Sequence, residues 1–275
     1  MPNEIRFNVT NFESIVALPP THYDVIRFDS NNQCNVHCVY CHNARSDELI
    51  DIERFRSFLS EKVLGVGLFQ FGCQMEPTLD PRLCDFMLAV AASPARPTRG
   101  IRLQTNGILL HRHSPERLVE AGLAVITISV DSARAPTHKG LRGGTSLAKV
   151  QRNIVAFRQS CPSVRIGFIT VVTSENIDDC EELVAWGVAA GVAQFEFRQV
   201  VHQPLSDIVD HARMEGLLVT AERFYEMQDR VTSKFGETTR LHFFSNGDIV
   251  SRALWVRNNS LISVAGRGAI VGSPH

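Results

Sequence analysis

Three of the chain's seven cysteines fall within eight residues, in the run Cys34-Asn35-Val36-His37-Cys38-Val39-Tyr40-Cys41. That C-x3-C-x2-C spacing constrains the fold more than any other feature, because it gathers three thiols on one short segment directly after the first expected strand. The other four stand at 73, 84, 161 and 180. An odd number so unevenly spread makes a poor disulfide framework, so metal or redox chemistry is the expectation. Three thiolates on one loop can hold three corners of an iron–sulfur cube and leave one iron open. A structural zinc ion with His37 or His42 as fourth ligand is the alternative, followed by cysteines without metal.

Strand-like runs alternate with helical patterns. Strands are expected at Asp24–Phe28, Val66–Phe71, Ile101–Thr105, Ala124–Val130, Val164–Val172 and Ala193–Arg198. Helices are expected at Ile52–Val63, Pro81–Ala92, Pro115–Ala121, Ser146–Gln159 and Ile177–Ala189. Ser114 before Pro115 reads as an N-cap, Gly122 and Gly191 as helix stops, and Asn176 with Asp179 as a capping box. This alternation is α/β with parallel crossovers, as an open doubly wound sheet or a complete or partial barrel. The first strand runs into Asp29–Cys34 rather than a G-x-G-x-x-G turn, which lowers the dinucleotide-binding reading. In a barrel, chemistry sits on loops at the strands' C-terminal ends, and the cysteines occupy such a loop.

Beyond residue 200 a helix at Ala221–Phe235 precedes strands Leu241–Phe244 and Ile249–Val256 around an Asn246-Gly247 turn. The organisation expected is an N-terminal extension (1–23), a core (24–200) and a C-terminal extension with helix and hairpin (201–275). Lys and Arg total 28 against 29 acidic residues. Nothing in that balance argues for nucleic acid, and neither a basic run nor a long apolar stretch points to a membrane. Glu4, Arg6 and Glu13 interrupt the N-terminus, so no secretory signal is expected and residence is cytoplasmic.

The cysteine loop, with Tyr40 immediately before the third cysteine and after the first strand, resembles the signature of the radical SAM superfamily. The resemblance implies a partial (β/α)6 TIM-like barrel with a short C-terminal α/β extension. It implies one [4Fe–4S] cluster on Cys34, Cys38 and Cys41, with S-adenosyl-L-methionine (SAM) chelating the open iron. An electron donor such as flavodoxin or ferredoxin then drives cleavage to a 5′-deoxyadenosyl radical, which abstracts hydrogen from substrate.

Four strand-end segments carry the likeness, from about Asp24 to Gln199. Phe71–Leu79 is similar to the family's Gly-Gly-Glu-Pro segment but departs from it around Cys73. Glu76 there is the candidate for the SAM ammonium, with a solvent-facing glutamate before a turn proline as the other reading. Thr105, in Gln104-Thr105-Asn106-Gly107, and Ser129, in Ile128-Ser129-Val130-Asp131, are implied contacts of the SAM methionine or ribose. Strand capping is the other reading of Thr105. Arg142, in Leu141-Arg142-Gly143, is implied at the SAM carboxylate, where a guanidinium binds in bidentate fashion. Arg165 competes for that duty. The resemblance implies that Tyr40 lies near the adenine, and simple packing is the other reading of its ring.

Arg198 and His202 are candidates for an anionic substrate group, while His37 and His42 read as loop structure. Cys73, at the expected barrel mouth, is a candidate hydrogen-atom donor or else a small buried hydrophobe. No cysteine follows Cys180, so one cluster is expected. A small metabolite or natural-product intermediate is the favoured substrate, because the first 20 residues are too short for a peptide-recognition domain. A peptide or protein substrate, including activation of a glycyl-radical enzyme, is the second reading, and a zinc-binding module the third.

Overall fold

The computed structural model describes residues 4–203, 206–246 and 269–271. It begins with β1 (Glu4–Phe7), α1 (Phe12–Val16), β2 (Thr21–Phe28), the two-residue β3 (His37–Cys38) and α2 (Ile52–Lys62). Next come β4 (Val63–Phe71), α3 (Leu83–Ala92), β5 (Ile101–Thr105), α4 (Pro115–Glu120) and β6 (Leu123–Ser129). Then follow α5 (Ala135–Leu141), the two-residue β7 (Arg142–Gly143), α6 (Leu147–Ser160), β8 (Arg165–Val172), α7 (Cys180–Ala189) and β9 (Gln194–Gln199). The described residues end with α8 (His211–Leu217), α9 (Ala221–Phe235), β10 (Arg240–Phe244) and β11 (Ala269–Val271).

The six expected core strands and five helices all form, with ends displaced by a few residues. Ser114 caps α4 as expected, accepting from the Arg117 N–H. Asn176 does something else. Its Oδ1 accepts from the Thr173 N–H at 2.7 Å, and its Nδ2 donates to the carbonyls of Asp131 and Val171 at 2.7 and 2.9 Å. An amide both donates and accepts, so it ties two strand ends together better than it caps a helix. Three residues of 3-10 helix (Ile177–Asp179) then lead into α7. The N-terminal stretch contributes β1, which is too short for its periodicity to be read. Gly247–Val256 of the expected hairpin lie outside the described residues, and the antiparallel partner of β10 is β11.

The chain divides into two compact units. The first comprises Met1–Asn35, Asn43–Thr127 and Val155–Arg165. Here β1, β2, β4 and β5 pair in parallel, with Phe7 beside Phe28, Phe28 beside Phe71, and Phe71 beside Leu103. Phe55 of α2 stacks on Phe28 at 4.4 Å between ring centroids, and Phe86 of α3 lies 5.1 Å from Phe55. Full burial of each such ring contributes about 1.5–3 kcal/mol. Gly72 ends β4 with φ +79°, and a Cβ there would stand 2.1 Å from the Gln104 carbonyl oxygen. Only glycine permits that approach to β5.

The second unit comprises Val36–His42, Ile128–Ile154 and Ile166–His275. In it β8, β9 and β10 pair in parallel, Val172 beside Gln199 and Arg198 beside Phe244. One core packs Phe168 against Trp186 and Phe195, and another stacks Phe197 on Phe243 at 5.3 Å. A further apolar cluster of Leu141, Val200, Val209, Met214 and Leu217 receives Val39, Tyr40 and Val171. Strand β6 begins in the first unit and ends in the second. No helix among the described residues is long and apolar enough to cross a membrane.

Candidate functional site

In the first unit the loop after β2 is braced against the loop after β4. Buried Asp29 accepts the N–H groups of Cys73, Gln74 and Met75 at 2.9, 3.1 and 3.3 Å. Burial still pushes its carboxyl up to about 6, the three donors notwithstanding. The Glu76 N–H donates to the Gln33 carbonyl at 2.9 Å, and Arg45 Nη1 donates to the Cys34 carbonyl at 2.9 Å. Cys34 therefore sits on a segment fixed from both sides.

Glu76 does not face solvent: only 2% of it is exposed. Its Oε1 accepts from the Thr78 N–H at 3.0 Å and from the hydroxyls of Thr78 and Thr105 at 2.5 and 2.6 Å. Its Oε2 accepts the Asn106 N–H at 2.7 Å, and Asn106 Nδ2 donates to Asn35 Oδ1 at 2.8 Å. Glu76 and Thr105, singled out separately in the sequence, thus form one hydrogen-bonded pair at adjoining strand ends. Cys73 is partly exposed and lines a cavity of about 80 Å³ with Arg6, Arg27 and Asp29.

In the second unit, Cys38 of β3 stands opposite Arg142 of β7 in an antiparallel ribbon. The Val39 N–H donates to the Leu141 carbonyl at 2.9 Å, and the Cys41 N–H to the Cys38 carbonyl at 3.1 Å. The Tyr40 hydroxyl donates to Asp131 Oδ2. Arg142 Nη1 donates to the Tyr40 oxygen at 2.9 Å and lies 3.5 Å from the same Asp131 oxygen. Burial holds the Tyr40 hydroxyl well above its usual range, so it stays protonated and donates. Asp131 Oδ1 accepts the Val171 N–H at 3.0 Å, and the Asp131 N–H donates to His138 Nδ1 at 3.3 Å. His138 is fully buried, and burial pulls it down to about 4, so it is neutral at pH 7.

Asp131 was not among the expected site residues. The available signal was its place two residues after the end of β6, in the segment that supplied Ser129. Ser129 is half-buried at the β6 terminus. Arg165 is exposed and opens β8, at the opposite end of that strand from Val172. Arg198 pairs with Glu196 and lies 5.6 Å over the Phe244 ring, while His202 Nε2 meets His211 Nδ1 at 2.8 Å. His42 Nε2 lies 3.2 Å from the Val201 carbonyl oxygen, and His37 is exposed.

All seven cysteines stay out of disulfides. Cys34, Cys38, Cys41 and Cys73 are partly exposed, whereas Cys84, Cys161 and Cys180 are buried, and burial pushes those three thiols up. A raised thiol pKa disfavours the thiolate that metals bind. Among the described residues, no three His, Cys, Asp or Glu side chains gather as a single ion requires. The fit to a cofactor rests on donor chemistry: three accessible thiols on one loop are the set that a four-iron cube takes at three corners.

The profile of the Radical SAM superfamily matches residues 30–187. A GTP 3′,8-cyclase of Crocosphaera subtropica is 25% identical over 229 residues, covering 78% of this chain and 66% of that protein. A pre-heme d1 synthase of Dinoroseobacter shibae is 24% identical, covering 69% of this chain and 48% of that protein. The chain thus spans between about half and two thirds of the length of these curated relatives. Streptococcus suis SuiB bound to S-adenosylmethionine superposes with a TM-score of 0.64 at 14% identity, covering 93% of this chain and 56% of that one. Native anSMEcpe with bound AdoMet and Cp18Cys peptide gives a TM-score of 0.61 at 19% identity, covering 79% of this chain and 60% of that one. These likenesses show the fold, a partial TIM-like α/β barrel.

Proposed function

The chain belongs to the radical SAM superfamily, and on that premise we propose that it cleaves SAM reductively and abstracts hydrogen from a small metabolite or natural-product intermediate. The observation that carries this reading is the superfamily match, which begins at residue 30 and contains the whole C-x3-C-x2-C loop. Cys34, Cys38 and Cys41 would hold the [4Fe–4S] cluster. When bound, the cluster supplies one electron to SAM, and the radical chemistry belongs to the cofactor rather than the chain.

The chain's own residues bind and orient. Glu76, its Oε1 already engaged by Thr78 and Thr105, is the candidate for the SAM ammonium. Thr105 and Ser129 serve the methionine or ribose end, and Tyr40 serves the adenine side. Arg142 is chosen over Arg165 for the SAM carboxylate because it pairs with the cysteine loop, whereas Arg165 stands at the far end of its strand. Cys73 is the candidate to return a hydrogen atom to a substrate radical: its S–H bond breaks as the substrate C–H bond forms, and the thiyl radical left is restored by one electron from the external donor and one proton.

The small-molecule reading draws on the curated relatives, whose names are those of a GTP cyclase and a heme-precursor synthase. A peptide substrate is the second reading, favoured by the peptide bound to anSMEcpe. Incubating reduced, cluster-loaded protein with SAM and cell extract tests both by mass spectrometry. A modified small molecule formed in step with 5′-deoxyadenosine supports the first reading, and a modified peptide the second.

A further inference from the structure

The ring of contacts behind the cysteine loop includes one residue that neither binds a metal nor stands among the proposed SAM contacts. We propose that Asp131 is a positioning residue for SAM binding, fixing the Tyr40 hydroxyl and the Arg142 guanidinium and, through them, the Cys38–Cys41 segment. The proposal rests on the reading that Arg142 meets the SAM carboxylate.

The geometry is economical. Tyr40 immediately precedes Cys41, and Arg142 is the cross-strand partner of Cys38. A single carboxylate oxygen, Asp131 Oδ2, receives the Tyr40 hydroxyl and faces Arg142 Nη1 at 3.5 Å. Asp131 is 1% exposed and Arg142 8% exposed, so both charges lie away from water. A buried charge without its partner is strongly destabilised, so this pair dictates where the guanidinium rests. Without such an anchor, an arginine side chain samples many rotamers, and ordering it would oppose ligand binding.

Asp131 is itself held rigidly. Its Oδ1 accepts the Val171 N–H, its carbonyl accepts from Asn176 Nδ2, and its own N–H reaches His138. Val39 and Tyr40 pack on the apolar cluster that includes Val209, Met214 and Leu217, which strengthens polar contacts there by excluding water. A ligand-binding group supported in this way is preorganised.

The test compares anaerobically reconstituted wild type with Asp131→Asn, Tyr40→Phe, the double variant and Arg142→Ala. It measures iron per chain, SAM affinity by titration, and the electron paramagnetic resonance spectrum of the reduced cluster with and without SAM. Asp131→Asn is expected to keep wild-type iron, bind SAM about tenfold more weakly and show a diminished spectral response to SAM. Tyr40→Phe should move the same way to a smaller extent, and the double variant should be no worse than Asp131→Asn, because both act in one network. Wild-type SAM affinity in Asp131→Asn, with Arg142→Ala impaired, overturns the positioning role and leaves the Arg142 reading intact. Wild-type affinity in Arg142→Ala overturns that reading and the proposal with it. If Asp131→Asn loses iron or fails to fold, Tyr40→Phe decides, because it keeps the ring on the adenine side and removes only the hydroxyl that joins Asp131 and Arg142: weakened SAM binding at full iron supports the proposal, and wild-type binding overturns it.

Discussion

At the residue scale, burial separates groups that look alike in the sequence. His138 is the clearest case, because it is fully buried beside Asp131 and its pKa falls from 6.5 to about 4. Its neutral form is the one the fold accommodates. The stability this contributes is complete above the unfolded value of 6.5 and is lost as pH falls toward 4. The span corresponds to on the order of 3 kcal/mol. Asp29 slopes the other way: its pKa rises from 3.8 to about 6, so its contribution is lost as pH rises through that window. The difference between wild type and His138→Asn isolates the histidine, since an asparagine oxygen can still accept the Asp131 N–H. Denaturant titrations should show a shallower acid-side loss of stability in the variant; parallel profiles would refute the assignment. Arg142→Ala should weaken SAM binding by about 1.5–3 kcal/mol, the scale of a hydrogen bond to a charged group, as read by titration. The sequence marked Tyr40, Glu76, Thr105 and Arg142 by motif alone. It was silent on Asp131 and His138, whose importance comes from burial and from partners remote in the chain.

At the element scale, the core strands and helices were legible because long apolar runs and capping residues act locally. Ser114 with Pro115 illustrates this, and Ser114→Ala should cost about 1 kcal/mol in thermal or denaturant unfolding. The β3–β7 ribbon was not legible: two residues a side give no periodicity, and its pairing joins positions about a hundred residues apart. Yet it is the element that seats Cys38. A Cβ at Gly143 would stand 2.9 Å from the His37 carbonyl oxygen, so the ribbon must shift to admit one. Gly143→Ala is therefore expected to lower iron retention after reconstitution while far-ultraviolet circular dichroism stays native. Full iron retention would show that the ribbon does not matter to the cluster. Asn176 carries the same lesson in reverse, since a local capping pattern yielded to a longer-range use of the same amide.

At the scale of the whole molecule, cysteine chemistry sets the expected cofactor content. Cys84, Cys161 and Cys180 are buried with raised thiol pKa values, which leaves the C-x3-C-x2-C loop as the one clustered thiol set. Reconstituted protein should hold about four irons per chain, the content of one cube. About eight, retained after replacement of all three loop cysteines, would require a second centre. The fold class was legible because six strands alternating with helices admit few topologies, and the cysteine loop at a strand end chose among them. Substrate identity was not, because it depends on side chains that converge only in three dimensions. The most direct test of the account is anaerobic incubation of reduced, cluster-loaded protein with SAM, measuring 5′-deoxyadenosine in wild type and Cys38→Ala. The account predicts steady formation by wild type and none above background by the variant; equal rates in the two would contradict it.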